Sequence, residues 1–249
     1  MDIHAIITQL LSTSTQTFTV FLYALLGGFV PALFWLWFWL HEDQHHNEPR
    51  RVIVKVFLLG MIAVFVAYVL QKTIGAYMVE RFPDISDKQL MFIYVVIEEL
   101  CKFFAAYGIA FNMRIFDEPI DAFVYLMTAA VGFAAMENTL YLIQPLLQGQ
   151  TLDSIITSYV RFIGSSILHV TTSGALSVCI GLSFCKPYWT RKFWIWIGLL
   201  IAFMIHWSFN IFLIIQDGSS AFLVFSSMWI TAILLILMLE RVKVNKCMY

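Results

Sequence analysis

Residues 89–111 read QLMFIYVVIEELCKFFAAYGIAF. A run of about 18 or more predominantly apolar residues is long enough to cross a bilayer as a helix. Yet Glu98, Glu99 and Lys102 stand inside this one. A charge at the bilayer centre costs roughly 2.5–3.5 kcal/mol on insertion scales, so intramembrane ionisable residues as a rule face a polar cavity. Glu98 and Lys102 are four apart and Glu99 and Lys102 three apart. Both spacings share a helix face, so Lys102 can partly neutralise the carboxylate pair. The segment predicts a membrane helix that carries part of a polar site.

The rest of the chain has the same character. Of its 249 residues, 61% are hydrophobic and 12% charged, where a soluble domain has about 25% charged. The apolar residues fall into about seven spans: Phe18–Leu40, Val52–Gly75, Gln89–Phe111, Ile120–Ile143, Val160–Ser183, Phe193–Gln216 and Ala221–Leu239. This predicts an all-α, polytopic membrane protein: one transmembrane helical domain over residues 1–249 with a polar intramembrane site. Residues 145–159 are expected to form a short interfacial helix. The first apolar run is too long for a cleavable signal peptide, and no Lys or Arg precedes it. A net charge of −1 argues against a nucleic-acid partner. The four cysteines form no ligand or bridge pattern and read as free thiols.

Lys and Arg set the expected orientation. Arg50, Arg51, Lys55, Arg114, Lys186, Arg191, Lys192, Arg241, Lys243 and Lys246 fall on one side, and Lys72, Arg81, Lys88 and Arg161 on the other. The basic side is expected to be cytoplasmic, with the N-terminus outside and the C-terminus inside.

Three further spans repeat the anomaly, with Glu137, His169 and His206. Measured from the non-cytoplasmic ends of their spans, Glu98, Glu137, His169 and His206 lie 9, 6, 9 and 10 residues deep, or about 9–15 Å at 1.5 Å per residue. The helices alternate in direction, yet the depths agree, which predicts one shared site. His169, Ser173, Ser177 and Gly181 form one helix stripe, and Gly198, Ala202, His206 and Asn210 another. Small residues on such stripes let helices approach closely, so both histidines should face neighbouring helices.

Other polar motifs read differently. Asp117-Glu118-Pro119-Ile120-Asp121 has the Pro and acids of an ordinary helix start, far from the cluster. His41, His45 and His46 look metal-like but sit in a polar loop, where a solvated stretch is the simpler reading. Trp35, Trp37 and Trp39 fit an aromatic belt at a span end. No HExxH helix is present, so the zinc-protease signature is missing.

Taken in order, these motifs resemble the PrsW-type intramembrane proteases, relatives of the CAAX-protease-like membrane proteins. The resemblance covers a core of about 31–216. It rests on Pro31 to Trp37 leading to Glu48-Pro49-Arg50-Arg51, on Glu98-Glu99 with Lys102, and on Asp117 to Asp121 with Tyr125. Gly132-Phe133-Ala134-Ala135-Met136-Glu137-Asn138, His169, and His206 with Asn210 complete it. Ala122 and Leu126 stand where the family pattern has Gly. The resemblance implies hydrolysis of a peptide bond in a membrane-anchored protein, in this family an anti-sigma-factor-like single-span protein. It also implies a bacterial-type cell membrane.

Amide hydrolysis needs an activated water, an oxyanion donor and a proton for the leaving amine. On that chemistry Glu98 or Glu99 is the expected general base, aided by His169, with His206 and Asn210 holding the oxyanion. Glu137 would orient a histidine, with Lys102 and Asn138 in support. A zinc-assisted version would use His169, His206 and Glu137. The competing class is a proton-coupled transporter, since buried Glu and His also build proton relays. The lack of an internal repeat counts against it.

Overall fold

The computed structural model describes residues 15–41, 48–111, 113–150, 156, 164–215 and 221–244. They form seven long helices in chain order: α1 Thr15–His41, α2 Arg50–Arg81, α3 Asp87–Ala106, α4 Asp121–Leu147, α5 Ser165–Ser183, α6 Tyr188–Ile215 and α7 Ala221–Lys243. Six are long and apolar enough to cross a membrane; α3, with two carboxylates and a lysine in its apolar stretch, is not among them. The expected all-helical architecture with seven helices therefore forms among the described residues, with six of the seven expected spans apolar enough to cross.

Helix ends follow local chemistry. At the start of α3 the Ser86 side chain accepts from the Gln89 backbone N–H and the Gln89 side chain accepts from that of Ser86, a reciprocal cap that satisfies two orphan donors. A π turn, Tyr107–Phe111, prolongs α3 to the end expected from hydropathy. Gly149, at φ 72°, terminates α4, a left-handed position that glycine takes without steric cost. Two boundaries differ from expectation. Helix α2 runs on past Gly75 to Arg81, because helix-forming residues continue after the apolar run ends at Leu70. Helix α4 continues through Pro145 to Leu147, so the proposed interfacial helix at 145–159 begins as its last turn; most of that stretch lies outside the described residues.

Helix α4 is the centre of the bundle. A Cβ on Gly60 would lie 2.2 Å from the Ala129 carbonyl oxygen, and one on Gly132 2.2 Å from that of Phe57. Helices α2 and α4 therefore cross backbone against backbone, which only glycine permits. Helix α5 is buried on nearly every face, whereas α1, α6 and α7 turn residues such as Val30, Trp196 and Leu234 outward. An apolar outer surface is what lipid requires.

The chain ends of alternate helices gather as expected. Gly181 at the end of α5 packs against Val242 of α7 and the Pro119 carbonyl before α4, and Phe116 lies 5.6 Å from Phe184. At the same end Tyr125 of α4 hydrogen-bonds Glu48, next to the start of α2. Asp121 accepts from the backbone N–H groups of Asp117 and Glu118 at 2.8 and 2.7 Å. This motif ties a loop to a helix start, the structural role read from sequence. Cys101 and Cys179 are free thiols as expected. Cys185 is disulfide-bonded instead; it lies beyond the last turn of α5, outside the packed helix interior that holds the other two.

Candidate active site

The four separated polar residues meet. Helix α3 supplies Glu98, Glu99 and Lys102, α4 supplies Glu137, α5 His169, and α6 His206 and Asn210. The stripes bring α5 and α6 together, with Gly198 of α6 against Leu176 and Cys179 and the His169 and His206 rings edge to face at 5.4 Å.

The hydrogen bonds divide these groups into two layers. In the buried layer, Lys102 Nζ donates to Glu99 Oε1 at 2.6 Å, approaches His169 Nδ1 at 3.2 Å and donates to Thr172 Oγ1 at 3.2 Å. His206 Nδ1 meets the same Glu99 oxygen at 2.6 Å. The ammonium also stands 5.7 Å from the centre of the Phe133 ring, a cation–π distance. In the outer layer, His169 Nε2 meets Glu137 Oε2 at 3.0 Å, Ser165 Oγ donates to the same oxygen at 3.2 Å, and Gln71 Nε2 donates to Glu98 Oε1 at 2.7 Å. His206 Nε2 faces Glu98 Oε2 at 3.6 Å.

These partners fix the tautomers. The Nδ1 of His169 faces an ammonium, which can only donate, so it accepts, and the ring proton sits on Nε2 toward Glu137. The Nδ1 of His206 lies within hydrogen-bond reach of Glu99 at 2.6 Å whereas Nε2, at 3.6 Å from Glu98, does not, so the proton is assigned to Nδ1 and Nε2 stands as an acceptor beside Glu98. The two carboxylates also separate. Glu99 is 3% exposed and doubly engaged, whereas Glu98 is 18% exposed.

The outer layer opens on space. A cavity of about 210 Å³ is lined by Glu98, Glu137, His169, His206 and Asn210. A second, of about 560 Å³, lies between α2, α3 and α4 and shares Glu98, Glu137, Tyr141 and Asn210 with the first. The Asn210 side chain makes no hydrogen bond among the described residues. Asn138 points elsewhere: its Nδ2 donates to Ser166 Oγ at 3.1 Å, tying α4 to α5. Gln71 and Thr172 have no signal in the sequence that singles them out, whereas Ser165, one turn before His169, is a foreseeable partner of that helix face. Thr172 stands three residues after His169 and Gln71 where the apolar run of α2 stops, but single polar residues at helix ends and on packed helices are common.

The chain matches the profile of the PrsW family intramembrane metalloproteases over residues 48–238. It belongs to that family. The match takes in six of the seven helices and extends past the expected core into α7. The protein is therefore a peptidase of the intramembrane kind, not the transporter that buried Glu and His also allow. It is 25% identical to Protease PrsW of Geobacillus kaustophilus over 194 residues, 77% of this chain and 80% of that protein. It is 26% identical to Protease PrsW of Bacillus subtilis over 198 residues, 75% and 81% respectively. No solved structure matches it.

The family description implies a metal, for which the buried layer offers donor atoms. Glu99, His169 and His206 bring one ligand atom each within 4.8 Å of one another, the donor types of a His₂Glu zinc site. By type and spacing the three could hold an ion. Glu99, not Glu137, completes the trio. However, Lys102 Nζ already stands among these atoms, 2.6 Å from Glu99 and 3.2 Å from His169. An ammonium and a divalent cation cannot share that place. With its lysine home, the group does not fit a metal ion.

Proposed function

We propose that this protein cuts a peptide bond of a membrane-anchored, single-span protein, with Glu98 activating the attacking water. The observation that carries this is one cavity, inside an apolar bundle, walled by two carboxylates, two imidazoles and an unbonded amide. Glu98 Oε2 and His206 Nε2 both face it as acceptors. A water that donates one proton to each turns its lone pair toward a substrate carbonyl. As the oxygen attacks, Glu98 takes a proton; as the C–N bond breaks, it returns that proton to the leaving amine. Asn210 Nδ2 donates to the developing oxyanion. Glu99 holds His206 in the tautomer that bares Nε2, much as a buried carboxylate orients the histidine of a serine-protease triad.

This reading changes the roles expected for the two histidines. His206 works beside the base instead of holding the oxyanion, while His169, held between Lys102 and Glu137, shapes the opposite wall instead of aiding the base. The change rests on the tautomers. The basic end of the bundle is taken as cytoplasmic, which sets the cavity in the outer half of the membrane. The test is cleavage of a single-span substrate in proteoliposomes by wild type and Glu98→Gln. A loss of about 10²–10⁴-fold in kcat is expected. Near-normal cleavage by a correctly folded Glu98→Gln variant would remove the base from this scheme.

A further inference from the structure

The 560 Å³ cavity has a rim that the proposed chemistry does not use. Its lining from α2 includes Tyr68, Gln71 and Lys72, and the α2 apolar run ends just before these last two. Gln71 is committed to Glu98. Lys72 is exposed and has no hydrogen-bond or ion-pair partner among the described residues. It is the one cation among the lining residues of either cavity. The two carboxylates that could answer it within the cavity are already engaged, Glu98 with Gln71 and Glu137 with His169 and Ser165.

The two cavities share Glu98, Glu137, Tyr141 and Asn210. An extended chain with its scissile bond at these residues would therefore send one flank into each. The flanks meet different chemistry. The lining of the 210 Å³ arm includes the apolar Leu168, Phe209 and Phe225 and no Lys or Arg, whereas that of the wider arm includes Lys72.

We propose that the wide cavity between α2, α3 and α4 is a substrate subsite, and that Lys72 at its mouth selects an acidic side chain on that flank of the scissile bond. The inference rests on the proteolytic reading above. Lys72 adjoins Gln71 in sequence, and an extended chain advances about 3.3 Å per residue. The acidic residue is then expected within about three positions of the cut. The alternative for Lys72 is a lysine that merely anchors α2 at the lipid headgroups.

The test uses the full chain in proteoliposomes with a set of single-span reporter proteins. Their juxtamembrane segments are randomised, and cut sites are read by mass spectrometry for wild type, Lys72→Gln and Lys72→Glu. Wild type is expected to favour Asp or Glu on one flank about fivefold, the scale of one partly exposed ion pair. Lys72→Gln should lose the preference and Lys72→Glu should turn it toward Lys or Arg. An unchanged charge pattern at the cut sites in all three proteins overturns the subsite and leaves the protease reading standing. Absence of cleavage by wild type, matching a Glu98→Gln control, overturns both. A preference that survives in Lys72→Glu overturns the role of Lys72.

Discussion

Helix α4 carries two acids, Asp121 buried at its start and Glu137 half-buried in its second half, and uses them differently. Near its start, Asp121 faces Glu48 and holds the backbone of Asp117 and Glu118, while Tyr125 bonds Glu48. Sixteen residues on, or about 24 Å along the helix, Glu137 meets His169 on the wall of a cavity. At the first end the acid's partners include fixed backbone donors. At the second, carboxylates and imidazoles leave acceptors and an amide turned toward open space. Buried acids therefore do not mark an active site by themselves; what marks it is hydrogen-bonding capacity left over beside room for a substrate.

Several variants would break or sharpen this contrast. Glu98→Gln should cost about 10²–10⁴-fold in kcat, whereas Asp121→Asn should leave kcat per folded molecule near wild type. Equal losses for the two, at equal fold content by circular dichroism, would erase the distinction. Next in size is Lys102→Met, which strands Glu99 as a buried charge. It should lower stability by about 3–5 kcal/mol, read by denaturant unfolding in detergent. The same lysine sharpens the question of metal. Wild type should stay active after chelator treatment, and zinc should bind only once Lys102 is replaced, as measured by metal content. Activity abolished by chelation and restored by zinc would show that the lysine yields its place.

Glu99→Gln should fall about 10–100-fold in activity, the cost typical of losing a carboxylate that orients an imidazole. Nitrogen chemical shifts of His206 should report a changed tautomer balance. A silent Glu99→Gln would mean that His206 needs no such partner. The smallest effect is expected from Asp121→Ala, about 0.5–2 kcal/mol of stability for a lost backbone cap, with cut-site selection unaltered.

Much of this was legible in the chain because a bilayer punishes ambiguity. Apolar runs had to become helices, and a Glu or His in their midst had to find company. Common depth was enough to bring Glu98, Glu137, His169 and His206 together. The division of labour between them was not legible. Glu98 and Glu99 are neighbours of identical chemistry, and only side-chain direction gives one to the cavity and the other to Lys102. The cluster of converging donor atoms likewise contains Glu99 rather than Glu137 because two carboxylates near the same pair of histidines can be ranked only by distance. Gln71 escaped notice because one amide where α2 turns polar resembles any helix end. The bond to Cys185 escaped because spacing along a chain says little about which thiols meet in space.

The crossing at Gly60 and Gly132 has a mechanical corollary. Where two main chains lie in direct contact, no side-chain layer remains to slide or repack, so α2 and α4 act as a single plank. That plank carries Gln71, Lys72 and Glu137 together. Under the proteolytic reading, a substrate laid along the cavity would meet these three groups at a fixed spacing, as against the jaw of a vice.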